Sequence, residues 1–191
     1  MIKSVILGTV LGGLVAFLWS FISWEVLPFH QKAVHTFQNE DEVLALIASH
    51  TPESGNYLLP GGATQAGLNA EQKKAAQELV IQKMKKGPLM FAAVRRGGFD
   101  SFARTLITQL LIQMASALLL SWLLLQTTGL SYGRRVAFCA VVGLTASVIA
   151  DLPNWNWWGF SGTYTLVNLI DYTLTWLFAG VVVAKFAKRT V

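Results

Sequence analysis

An apolar run of 21 residues, 164–184, carries a carboxylic acid in its first half, and this combination constrains the chain more than any other feature. At 1.5 Å per residue the run forms a helix long enough to cross a hydrocarbon core of roughly 30 Å. Tyr164, Asn168, Asp171 and Thr175 recur at i, i+4, i+7 and i+11, so one face is polar while the others carry Leu, Val, Phe and Trp. A carboxylate in lipid costs ~2.5 to 3.5 kcal/mol on insertion scales, so Asp171 must look into protein or a wet cavity. The other helices have to supply its partners.

Three further runs have the same character. Residues 4–24 contain no charge, and Gly8, Gly12, Ala16 and Ser20 recur every four residues along them. Such a stripe admits another helix backbone at close range, either within the bundle or as a homodimer seam. The bulky segment after Trp24 lacks a small-x-small cleavage site, so the run reads as an uncleaved anchor. Residues 105–125 carry Thr105, Gln109, Gln113, Ala117 and Ser121 on one face. Residues 136–152 carry Cys139, Gly143, Ser147 and Asp151 four apart, with Asp151 at the expected helix end before Pro153. With only 13% charged residues and a mean hydropathy of +0.49, the chain departs from soluble composition, which carries about 25% charge. Cys139 is the lone cysteine and reads as a small core residue.

Residues 25–103 form a polar segment too long to be a connection. Asn39 with Glu42 has the spacing of a capping box that opens a helix to about residue 49, and Asn69 with Gln72 opens a second that ends at Gly87. Short apolar runs at 56–59 and 89–94, each followed by turn residues, read as strands. The segment holds eight acidic and eight basic residues. Its neutrality gives no support for a nucleic-acid surface, and the lysines of the second helix read as a solvated face.

Topology follows from the short segments. Lys3, Arg134, Arg135, Lys185, Lys188 and Arg189 fall on one side, and residues 153–163 on the other carry no basic residue. The positive-inside rule puts both termini in the cytoplasm and the long segment outside, at a plasma (inner) membrane. The expected fold is a membrane all-α bundle of four transmembrane helices with a small extracytoplasmic α+β domain inserted between helices 1 and 2.

Depth then pairs the polar residues. Gln109 and Gln113 lie about 6 and 12 Å below the outer end of their span, and Asn168 and Asp171 about 6 and 10 Å below theirs. A cluster of Gln109, Gln113, Asn168 and Asp171 is expected, under an outer ion pair of Arg104 with Asp151. Trp155, Trp157 and Trp158 join Trp19, Trp24, Phe29, Glu25 and His30 at the outer rim. Indoles favour the membrane interface, so this is an aromatic belt or, at this density, a docking platform.

Catalytic spacing is absent from the sequence: there is no HExxH, CxxC, GxSxG or phosphate-binding glycine loop, and His30, His35 and His50 do not share a face. No metal site and no cofactor are expected. The residues point first to a non-enzymatic accessory or assembly subunit that binds a lipid or a partner protein, another membrane protein or a second copy, and no nucleic acid. The alternatives are a small transporter or channel using the Asp171 cluster, or a lipid-modifying enzyme using Asp151, Glu25 and His30.

Overall fold

The computed structural model describes residues 2–62 and 66–187. Lys188 and Arg189, two of the six basic residues used for topology, lie outside the described residues. The chain is mostly helical. Helices α1 (Ile2–Phe21), α2 (Phe29–Lys32) and α3 (Glu40–His50) precede strand β1 (Gly55–Leu59), and α4 (Ala70–Lys86) precedes β2 (Met90–Val94). Three long helices follow: α5 (Phe102–Leu125), α6 (Tyr132–Trp158) and α7 (Gly162–Phe186). Four stretches, Lys3–Val26 and these three, are long and apolar enough to cross a membrane.

The described chain divides into two compact units. One contains residues up to 35, 101–155 and from 160 onward; the other contains 36–100 and 156–159. In the helical unit, α1 packs against both α5 and α7. Its small-residue stripe makes this possible. Gly8 faces Ser121, Gly12 faces Ala117 and Val183, and Ala16 is fully buried. The stripe is thus filled within the chain and is not available as a homodimer seam. The α6 and α7 backbones meet the same way: a Cβ at Gly143 would stand 2.7 Å from the Tyr172 carbonyl, and one at Gly180 would stand 2.6 Å from the Cys139 Cβ. Ala117, Leu120, Leu124, Cys139, Trp176 and Val183 form the core between them.

Two expectations are corrected here. Pro153 does not stop α6, which continues to Trp158. Proline removes one i→i−4 bond and crowds the preceding turn, but a long helix held along its length tolerates this as a local defect. Asp151 therefore sits seven residues before the last helical residue, about 10 Å along the axis, rather than at the end. At α3, Asn39 adopts φ 53, ψ 57 and makes no side-chain cap. A capping side chain needs extended backbone to reach over the first N–H groups, and left-handed Asn39 turns away. Glu40, Asp41 and Glu42 instead place negative charge at that helix start.

In the second unit, the Asn69–Gln72 capping box forms in full, with Gln72 N–H donating to Asn69 at 2.9 Å and Asn69 N–H donating to Gln72 at 3.0 Å. Gly87 at φ 66 ends that helix. Strands β1 and β2 pair antiparallel, Gly55 opposite Val94 and Leu59 opposite Met90. Neither α3 nor α4 buries any residue.

The glycine contacts yield a direct test. Gly143→Val should lower stability by ~1 to 3 kcal/mol through overpacking against α7. Gly133→Ala, where a Cβ meets nothing within 4 Å, should be neutral or stabilising. Thermal unfolding of the detergent-solubilised protein distinguishes the two; equal midpoints would remove Gly143 as a close contact.

Candidate functional site

The last turns of α1 build the site. The i→i+4 pattern gives way to a π turn over Ile22–Val26, closed by Leu27 N–H donating to Ile22 C=O at 3.0 Å. A π turn inserts a residue and rephases the face, a device concentrated at functional positions. The chain then becomes extended at Leu27 and folds back through α2. This return buries His30, which is 1% exposed, against α7.

Asp171 receives three side-chain contacts from this hook. Trp19 Nε1–H donates to Oδ1 at 2.8 Å and the Ser23 hydroxyl donates to the same oxygen at 2.6 Å. His30 Nε2 lies 3.3 Å from Oδ2 and 3.0 Å from Ser23 Oγ. The Ser23 hydroxyl hydrogen is directed at the carboxylate, so Nε2 carries a hydrogen and shares it between Ser23 Oγ and Asp171 Oδ2. The imidazole is held flat by Trp24, stacked at 3.9 Å and 14°. A carboxylate with three donors in a buried setting is well compensated, each charge-assisted bond contributing ~1.5 to 3 kcal/mol.

A second carboxylate sits across α7. Asp151 accepts from Asn168 Nδ2 at 3.1 Å on one oxygen and from the Ser147 hydroxyl on the other. Both donors are neutral. The α5 amide Gln113 donates to Ser20 Oγ at 3.2 Å and so joins α5 to α1. The single expected polar cluster is therefore resolved into three nodes: Asp171 with α1 and α2, Asp151 with Asn168, and Gln113 with Ser20. Gln109 bonds to none of them.

These nodes border a half-enclosed cleft of about 940 Å³ among α1, α5, α6 and α7. Along α5 it runs from Leu106 to Leu123, about 25 Å of helix. Gln109, Asn154, Tyr164, Asp151 and Asn168 line one end; Leu119, Leu123 and Val142 line the other. The volume lies at the upper end of the range for small-molecule sites.

Other predicted residues fall elsewhere. Arg104 is exposed, and no Arg104–Asp151 pair forms among the described residues, because the continued α6 helix carries Asp151 inside the unit rather than to its rim. Glu25 is exposed and lines the cleft mouth. His30, expected at the rim, is instead the inward partner of Asp171. Trp155 is 53% exposed in the helical unit; Trp157, 75% exposed, and Trp158 belong to the second, where Phe91 and Trp158 rings lie 5.2 Å apart. Ser23 was not anticipated. It follows Gly12, Ala16 and Trp19 at i, i+4, i+7 and i+11, so the stripe itself pointed to it.

The Ser23, His30, Asp171 grouping does not have nucleophile geometry. A catalytic triad engages opposite nitrogens of the imidazole, whereas here serine and aspartate share Nε2, Nδ1 has no partner among the described residues, and Ser23 is fully buried. No group of three His, Cys, Asp or Glu among the described residues could hold a metal ion. No protein-family model, no curated protein and no solved structure matches the chain.

Breaking one side of the buried pair should be costly. His30→Leu should destabilise by ~3 to 5 kcal/mol, with the His30→Leu, Asp171→Leu double variant recovering part of the loss. Chemical unfolding of the three variants checks this; strictly additive losses would show that the two residues do not interact.

Proposed function

We propose that this chain is a multi-pass integral membrane protein acting as a non-enzymatic binding subunit, and that the cleft of its helical unit holds a membrane amphiphile. The cleft carries this reading: it is as long as a lipid chain requires, apolar along one end and ringed by amide, hydroxyl and carboxyl groups at the other. Four apolar helices support insertion. Lys3, Arg134, Arg135 and Lys185 stand at the ends expected to face the cytoplasm, which supports cytoplasmic termini in a plasma membrane. Exposed Trp155 and Trp157 then serve as interfacial anchors.

The transporter reading loses support at the opposite end of the unit. The cleft is lined there by Leu119, Leu123 and Val142, and the buried Leu124, Val183, Ala184 and Ala187 add no polar side chain for a solute path. A second role, docking of a partner protein, is favoured by the second unit. Its helices bury nothing, and Leu44, Leu46, Leu79 and Leu89 are each more than half exposed. A two-stranded hairpin with such helices is marginal alone.

Native mass spectrometry of the full chain, extracted from its own membrane in a mild non-ionic detergent, should find one lipid retained per chain. Ala146→Trp, which fills the cleft from an exposed lining position, should abolish that retention while leaving the unfolding midpoint within a few degrees. Retention unchanged by Ala146→Trp, or no retained lipid in the parent protein, would reject the cleft as the binding site.

A further inference from the structure

Charge accounting inside the cleft identifies the headgroup it takes. Three carboxylates line it, Glu25, Asp151 and Asp171, and its lining contains no lysine, arginine or histidine. Asp171 is compensated from behind by Trp19, Ser23 and His30. Asp151 has fewer donors: among the described residues it accepts only from Asn168 and Ser147, one on each oxygen, and each carboxylate oxygen can accept a second bond. Glu25 has no ion-pair partner among the described residues. A 9% exposed carboxylate without a cation is costly in a low-dielectric setting, and no ion pair to Asp151 forms among the described residues.

We infer that the cleft is selective for a membrane amphiphile with a cationic amine headgroup, its ammonium paired with Asp151 at the polar end and its hydrocarbon chain lying along Leu119, Leu123 and Val142. The ammonium supplies the missing charge. Gln109 and Asn154, whose side-chain amides line the same end and have no side-chain hydrogen bond among the described residues, accept its remaining hydrogens through their amide oxygens. An anionic headgroup would meet two like charges with no compensating base, so discrimination against it is built from repulsion as well as attraction.

This inference rests on the cleft being the ligand site, and the test separates the two claims. Delipidated full-length protein in non-ionic detergent is offered hexadecylamine, hexadecanol and hexadecanoate separately at equal concentration, and retention is read by native mass spectrometry. The amine should be retained about tenfold more than the alcohol, and the acid least. Asp151→Asn should remove the preference of amine over alcohol, and a thermal unfolding midpoint within a few degrees of the parent's establishes that the variant is folded. Glu25→Gln should reduce the amine advantage only partly, because its exposed carboxylate is screened. Equal retention of amine and alcohol, or retention of the acid at the level of the amine, would overturn the amine selectivity while leaving the cleft as a site. Retention of none of the three, or retention indifferent to Ala146→Trp, would overturn the cleft itself.

Discussion

The contact between Asp171 and the folded-back end of α1 organises the helical unit. A carboxylate on an otherwise apolar helix has to be compensated wherever that helix is buried, and three donors, Trp19, Ser23 and His30, converge on it. Satisfying those bonds coincides with the π turn over Ile22–Val26, which contains Ser23 and rephases the chain that follows it. It also depends on the return through α2, without which His30 would lie beyond the helix end. The interaction therefore fixes where α1 stops and how α1 and α7 are aligned along their lengths.

Given that alignment, the cleft follows from side-chain size. Small residues bring α1 to α5 and α7, and Gly143 with Gly180 bring α6 to α7. On the remaining side, Gln113, Asn168 and the two aspartates face a space that side chains do not fill. Close packing on the glycine faces and open space on the polar face are complementary consequences of the same helix arrangement. A site that is polar at one end and apolar at the other is suited to holding an amphiphile rather than passing a solute.

Much of this was legible in the residues. The apolar runs gave the four long helices, spacing by four gave the close-packed stripes on α1 and α6, and Asn69 with Gln72 gave a capping box that forms as written. Gln109, Gln113, Asn168 and Asp171, grouped by depth in the sequence, all border one cleft. What periodicity could not give was pairing within that group. Asp171 was expected in a cluster with Gln109, Gln113 and Asn168, and its partners Trp19, Ser23 and His30 lie instead on α1 and on the segment where the backbone leaves regular helix at Ile22. His30 read as a surface residue because it follows Pro28, and nothing in a proline says which way the chain turns afterwards. Pro153 misled in the opposite sense: α6 continues through it to Trp158, and this relocated Asp151 from the helix end to the interior. Asn39 failed as a cap because spacing does not report the backbone angles that capping needs.

The most direct measurement is a cryo-electron microscopy map of the full chain in lipid nanodiscs, with the density between α5 and α6 inspected beside Asp151. The expected result is an elongated, chain-like density with its head at Asp151, Gln109 and Asn154 and its tail toward Leu123, and with His30 stacked on Trp24 against Asp171. A cleft closed by α5 packed onto α6, or His30 turned outward from Asp171, would contradict it.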